Sequence, residues 1–217
     1  IDAGIRLLDT QHWETQYSLS LDLFELSSSV SCIIGDISAM SNRLNEIVAN
    51  VKTFEDSLNA SSLLAKLLAS SSKYEEAITN CLSVLSALGE DISVDVSIPL
   101  VTSELSVLST TLRNITVEQV KMLPPMTDRS KLNAMKYMSL ACRYSTFAKP
   151  MLVPILSCRM VRLTIEAGFS DDSIVGLVTA GYGVVGILSV MKLSFSFHSI
   201  GFDFISLCIP GTVYIHR

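Results

Sequence analysis

The sequence is poor in charge, and in positive charge above all. Only 17% of its 217 residues are charged, and 16 Lys and Arg are outnumbered by 21 Asp and Glu, for a formal charge of −5. The basic residues are scattered and form no run longer than two. Because a nucleic-acid surface needs clustered Lys and Arg, the composition argues against a nucleic-acid partner.

Motifs of nucleotide hydrolysis and phosphoryl transfer are also missing. The chain has no GxxxxGK(S/T) loop to hold phosphates, no His-Arg-Asp catalytic loop and no Asp-Phe-Gly sequence of a protein kinase. Its histidines, His12, His198 and His216, are too dispersed to suggest a catalytic triad or a metal site. We therefore expect no catalytic residue, no metal ligand and no bound cofactor within these residues.

Cysteine is sparse and follows no paired pattern. Five cysteines lie far apart, and none forms a CxxC pair: Cys32, Cys81, Cys142, Cys158 and Cys208. An odd, dispersed set is typical of buried thiols in a reducing compartment. We therefore predict a cytoplasmic location.

What the chain does contain is a series of amphipathic helical patterns, clearest over residues 72–89. The small residue Ala77 would let two helices approach closely, and Gly89 would end the helix. The apolar residues after Ala77 form one stripe on a helix face: Cys81, Val84, Leu85 and Leu88. This is the pattern of the second helix of a tetratricopeptide-type hairpin. Such hairpins stack into arrays that serve as binding surfaces.

An internal repeat supports such an array. The helix after Asp36 aligns with the helix over 73–88 at an offset of 37 residues, the difference between positions 77 and 40. That offset is slightly longer than the roughly 34 residues of a standard tetratricopeptide unit. The matched pairs are Met40 with Ala77, Leu44 with Cys81, Ile47 with Val84, Val48 with Leu85 and Val51 with Leu88. We expect both sets to face the core.

Caps and helix breakers predict the remaining boundaries. We expect a first helix over 10–34 ended by Gly35, a second capped by Asp36, a third over 56–71 and a fourth over 73–88. Later helices should begin at Pro99, at the Thr116–Gln119 capping box, at Asp128, at Pro150 and at 171–173.

The predicted fold is therefore all-α, a right-handed solenoid of antiparallel helix hairpins. In this division, 1–9 is the remnant of an upstream element and 10–89 holds the tetratricopeptide-like hairpins. A linker (90–99) leads to further hairpins over 100–191, and 192–217 is an atypical, irregular hydrophobic tail.

Two segments near the C-terminal end are open to other interpretations. Residues 181–186 spell GxGxxG, with Asp203 as a possible ribose ligand, but a dinucleotide-binding turn must follow a strand. Here the motif lies inside an apolar helical run, which favours glycines that permit a close helix crossing. Residues 173–191 contain no charge over 19 positions, just enough to span a membrane. A membrane-associated helix is thus an alternative to burial in the array.

Residues 10–186 resemble a known family. The resemblance lies in the segments 123–128, 131–135 and 159–164, in Gly168 and 182–183, and upstream in Trp13, Tyr17, Leu21, 74–78 and 85–89. These are similar to the helical-repeat region of large "predicted ATPase" signalling proteins. Such proteins join a serine/threonine-kinase-like domain, an origin-recognition-like AAA-type ATPase domain, the helical repeats and often a histidine-kinase or cyclase output. The resemblance implies a fragment that binds a protein or a neighbouring domain, with ATP bound elsewhere in the parent protein.

The predicted function is a non-catalytic scaffold for protein–protein interaction or regulation within a larger ATPase or kinase signalling protein. The alternative is a piece of an ATP-hydrolysing or kinase enzyme whose active site lies outside these residues. Trp13 and Tyr17 are the candidate partner-binding residues if they are exposed, because aromatic residues dominate interfaces. Their shared helix face with Leu21 and Phe24 favours the core instead.

Overall fold

The computed structural model describes residues 1–113 and 115–181. Within these ranges the regular structure is helical, apart from one isolated β-bridge between Pro125 and Phe169, as the all-α prediction requires. The chain divides into two compact units, Ile1–Val84 and Leu85–Arg217, which are taken one at a time. The predicted tail (192–217) and most of the GxGxxG segment (182–186) lie outside the described residues.

Six helices begin in the first unit. They are α1 (Asp2–Arg6), α2 (His12–Thr15), α3 (Tyr17–Ile34), α4 (Ile37–Asn50), α5 (Phe54–Ser70) and α6 (Tyr74–Ala87). As predicted, Gly35 ends α3 in the left-handed conformation (φ 76°), and the Asp36 carboxylate caps α4 by accepting a hydrogen bond from the Ala39 amide at 2.9 Å. The helices α3, α4 and α5 each contact the other two. Short turns therefore join helices that pack together.

The core of this unit combines apolar side chains with serines. Its fully buried apolar members are Phe24, Met40, Leu44, Ile47, Ala60 and Leu63. Four serines of α3 are also buried: Ser20, Ser27, Ser28 and Ser31. Their small side chains allow close packing, and the Ser28 hydroxyl donates to the Phe24 carbonyl at 2.7 Å. Such bonds satisfy hydroxyl groups that would otherwise be costly to bury.

The predicted single helix over 10–34 is wrong, because the chain leaves helical geometry at Gln16 (φ −133°, ψ 41°). The break lets α2 fold back so that the His12 and Trp13 rings lie 5.8 and 5.3 Å from the Phe24 ring. In one continuous helix, positions 13 and 24 would be about 16 Å apart along the axis. Residues 1–9, expected to be a remnant, contain α1, and Ile5 and Leu8 pack against the core.

The prediction that Val48 faces the core is also wrong, since its side chain is 62% exposed. Met40, Leu44 and Ile47 are buried as expected. At 100° per residue, Val48 lies about 80° around the helix from Met40, beyond the edge of that stripe. Its aligned partner, Leu85, is fully buried, so the repeat of 37 residues is imperfect at this pair.

The second unit has its own helices: α7 (Ile98–Arg113), α8 (Val117–Lys121), α9 (Arg129–Ala148), α10 (Leu152–Ala167) and α11 (173–181). The predicted capping box is confirmed, because the Thr116 hydroxyl and the Gln119 side chain each accept the other's backbone amide. Asp128 caps α9 as predicted. The helix expected to open at Pro150 begins two residues later, at Leu152. Helix α10 is central to this unit, contacting both α9 and α7.

Two glycines allow close contacts in this unit. The amide of Met126 donates to the Phe169 carbonyl and the amide of Phe169 donates to the Pro124 carbonyl, each at 2.8 Å. Gly168, with φ 103°, turns the chain into this bridge, and a Cβ there would overlap the Pro124 oxygen. Gly176 lets α11 approach α10 so closely that a Cβ would lie 2.6 Å from the Met160 Cβ.

Candidate protein-binding surface

Trp13 lies in an aromatic cluster on the core of the first unit. It is half-buried, and its ring lies 5.4 Å from His12, 6.2 Å from Tyr17 and 5.3 Å from Phe24. The His12 ring is held by its Nδ1, 2.9 Å from the Ser20 hydroxyl. The packing therefore fixes Trp13 in place and leaves only part of it accessible.

Tyr17 ties together the ends of three helices. Its hydroxyl donates to the Asp56 carboxylate at 2.8 Å and accepts the Lys52 amide at 3.0 Å. The Lys52 ammonium lies 4.3 Å from the centre of its ring. Desolvation raises the pKa of Tyr17, and the Asp56 carboxylate adds to that rise. The polar groups of this half-buried residue are thus engaged within the unit. The role of Trp13 and Tyr17 as partner anchors stays a prediction.

Helix α3 carries a line of apolar side chains on its outer face, which we name the α3 seam. Its members are Leu19, Leu23, Leu26, Val30 and Ile33. Leu19, Leu26 and Ile33 are 51%, 53% and 83% exposed, and Val30 is also exposed. Leu23 is half-buried, with α1 alongside it at Gly4. The line thus runs the length of α3 with most of its apolar surface open to solvent within this unit.

The spacing of the α3 seam is that of a helix-pairing surface. Successive members are four, three, four and three residues apart, which is the alternation of the a and d positions in a coiled coil. Ile34 and Ile37 are also exposed and extend the apolar surface past the turn at Gly35. Single exposed leucines are ordinary, but grouped ones are typical of an interaction site. Leu26, Val30 and Ile33 are exposed together, beyond the contact of α1 with Leu23.

Sequence reasoning missed this surface because α3 has apolar residues on more than one face. The pattern through Tyr17, Leu21 and Phe24 predicts the core face of α3 and does not account for the second stripe. The heptad spacing from Leu19 to Ile33 was the available signal. What the pattern did not show is that serines occupy much of the buried face of α3.

The second unit contains a shallow groove of about 690 Å³ between α7, α8 and α10. Its lining includes Val107, Thr110, Thr111, Gln119 and Ile165, and none of its lining residues is charged. The hydroxyls of Thr110 and Thr111 each donate to a carbonyl of α7 itself at 3.0 Å. Ser106 also lines the groove, which therefore offers methyl and hydroxyl groups and no titratable side chain.

The three buried cysteines, Cys81, Cys142 and Cys158, are poor nucleophiles. Burial raises the pKa of Cys81 and of Cys158 to about 12 and that of Cys142 to about 11. A thiol reacts as its thiolate, so these three groups are inert near neutral pH. Across residues 1–113 and 115–181, no three His, Cys, Asp or Glu side chains converge as ligands for a metal ion.

A bidentate ion pair serves the packing of the second unit. Arg159 Nε and Nη2 donate to the two carboxylate oxygens of Glu90 at 2.6 and 2.8 Å. Glu90 is mostly buried, and the pairing raises the pKa of Arg159. The pair fastens the segment before α7 to α10, a structural role that leaves neither group available for catalysis.

The predicted membrane span can be followed only in its first part. Residues 173–181 form α11, whereas 182–191 lie outside the described residues. In the part of the chain that is described, no helix combines the length and the apolar character needed to cross a bilayer.

Comparison with known proteins adds no relative. No family model, no curated protein and no solved structure matches this chain. The resemblance to the helical repeats of ATPase signalling proteins therefore rests on the residues quoted for it.

Proposed function

We propose that this chain is a non-catalytic helical-repeat scaffold and that it binds a protein helix along the α3 seam. The exposed heptad row from Leu19 to Ile33 is the observation that carries this proposal. The packing of α3 with both α4 and α5 supports an array of the tetratricopeptide type. A hydrogen bond links α6 to α5, because the Asn80 side chain donates to the Ser61 carbonyl at 2.9 Å.

The α3 seam is suited to binding because it is held in shape before a partner arrives. Helix α3 has 18 residues and is about 27 Å long at 1.5 Å per residue. Its inner face is fixed by Phe24 and the buried serines. A partner helix can therefore lie along the exposed part of the seam, beyond the α1 contact at Leu23. That part of α3 is already ordered, which lowers the entropic cost of binding.

The chemistry of the described side chains favours binding over catalysis. The buried thiols stay protonated, the groove of the second unit holds no titratable group, and the Arg159–Glu90 pair is committed to packing. The wider role, regulation within an ATPase or kinase signalling protein, is proposed on the sequence resemblance. The partner would then be another protein or a neighbouring domain of the same parent.

The test uses a fluorescent peptide of about 20 residues, long enough to form a helix, with leucines in a heptad row and uncharged Gln and Ser elsewhere. Fluorescence anisotropy measures its binding to the full chain. We expect the variant Leu26→Ser/Ile33→Ser to lose at least tenfold in affinity, since each apolar side chain contributes roughly 1.5 kcal/mol or more when buried.

Val48→Ser is the matched control, because it removes an equally exposed apolar side chain from α4 instead of α3. It should bind like the wild type, and all variants should keep the wild-type far-UV circular dichroism. Unchanged affinity in the double variant, or no binding by the wild type, would refute the proposal.

A further inference from the structure

We infer that the α3 seam selects a basic partner: an amphipathic helix whose apolar row is flanked by Lys and Arg. This inference rests on the proposed function and adds the charge of the partner to it. It is carried by the charges that the fold places around the seam.

The part of the chain that contains the α3 seam has charge of only one sign. Residues 7–42 contain no Lys and no Arg. They contain five acidic residues, Asp9, Glu14, Asp22, Glu25 and Asp36. The formal charge of this stretch is thus −5, the same as that of all 217 residues. The stretch includes α2, α3 and the start of α4.

Two of these carboxylates, those of Asp22 and Asp36, lie beside the apolar row. Asp22 is exposed, and it lies three residues after Leu19 and four before Leu26, so it is a surface neighbour of both on the helix. Asp36 is exposed directly before Ile37, where the apolar surface ends. Glu25 lies on another face of α3, towards α5, where the Asn59 side-chain amide donates to it at 2.8 Å.

The first unit has five basic residues, and Lys52 and Lys73 among them have partners within it. The Lys52 ammonium lies over the Tyr17 ring, and Lys73 pairs with Glu76 at 3.2 Å within the first turn of α6. Arg6 and Arg43, which border the stretch 7–42, line a hollow with Phe24 of α3. Helix α3 itself carries Asp22 and Glu25 and no Lys or Arg.

This charge pattern disfavours a second copy of the chain on the α3 seam. Two α3 helices paired along their seams would bring Asp22 of both copies to one interface, and α3 has no Lys or Arg to pair with either. The same carboxylates disfavour an anionic lipid surface. A helix with Lys or Arg beside its apolar row would gain complementary charge at the flanking positions, which set partner choice in helix pairs.

Three peptides test the inference on the full chain. They share one leucine heptad row and differ only at the flanking positions, which carry Lys and Arg, Gln and Ser, or Glu. At about 50 mM salt we expect the basic peptide to bind roughly threefold to tenfold more tightly than the neutral one, and the acidic peptide to bind more weakly. At about 500 mM salt the three affinities should converge, because exposed charges are screened.

Asp22→Asn should reduce the difference in affinity between the basic and the neutral peptide. Asp171 is an exposed acidic residue of the second unit, and Asp171→Asn should leave that difference unchanged. The comparison of peptides on the wild-type chain stands even if a variant folds poorly.

Equal affinity for all three peptides would overturn the inference and leave the proposed function intact. Tighter binding of the acidic peptide than of the basic one would also overturn the inference and leave the proposed function intact. Binding of none would overturn both. A dimer seen by light scattering and dissolved by Leu26→Ser would assign the α3 seam to a second copy, contrary to the inference.

Discussion

Gly168→Ala should be among the most destabilising single-methyl additions in this chain. Gly168 follows α10 with φ 103° and ψ −178°, a region of backbone space that is essentially open to glycine alone. Holding alanine there costs about 1–3 kcal/mol. The added methyl would also overlap the Pro124 oxygen, so the chain must move at the point where two segments are bridged.

The backbone hydrogen bonds next to Gly168 add to the expected loss of stability. Movement at Gly168 would strain the hydrogen bonds between Phe169 and the carbonyl of Pro124 and between Met126 and the carbonyl of Phe169. A backbone hydrogen bond contributes about 1 kcal/mol net. Together with the backbone strain, we expect a loss of roughly 2–4 kcal/mol in the free energy of unfolding.

Gly35→Ala is the matched control. Gly35 also has a positive φ, at 76°, but a methyl group there meets nothing within 4 Å. The expected loss in the free energy of unfolding is therefore that of the left-handed backbone alone, roughly 1 kcal/mol. Urea unfolding followed by circular dichroism measures both losses, and amide exchange shows whether Met126 and Phe169 lose protection. Equal losses in the two variants, or undiminished protection in Gly168→Ala, would refute the reasoning.

Three further substitutions or conditions probe the packing and the buried thiols. Gly176→Ala should push α11 away from α10 and lower the free energy of unfolding, measured in urea, by about 1–3 kcal/mol. An unchanged free energy of unfolding would contradict the close approach of the two helices. Between pH 9 and 12 the unfolded Cys81 thiol ionises while the native one stays protonated. Stability should therefore fall with rising pH, by up to about 1.4 kcal/mol per pH unit for this group, and less steeply in Cys81→Ala. Arg159→Met should cost roughly 1–3 kcal/mol by leaving Glu90 mostly buried without its bidentate partner. Arg159→Lys should recover only part of that loss, and full recovery would show that charge alone matters.

Local chemistry predicted the turns well. Gly35, Asp36, Thr116 with Gln119, and Asp128 end or cap helices as their side chains and backbone freedom require. Each of these signals depends on atoms within a few residues. Sequence reasoning can therefore find them without knowledge of the rest of the fold.

Features that depend on distant contacts were not predictable in this way. The break at Gln16 brings the rings of α2 onto Phe24, a contact that no local pattern encodes. Likewise, α3 buries four of its six serines and exposes Leu26 and Ile33. A ranking of residues by hydrophobicity predicts the reverse, since it ignores hydroxyls that bond to their own helix. The candidate surface was missed for that reason.

Methyl-resolved nuclear magnetic resonance of the full chain, with and without the neutral heptad peptide, tests the central claim most directly. The account predicts that the peptide shifts the methyl signals of Leu19, Leu26 and Ile33 and leaves those of Val107 and Ile165 in the second unit unchanged. Shifts confined to Val107 and Ile165, with the α3 signals unmoved, would contradict it.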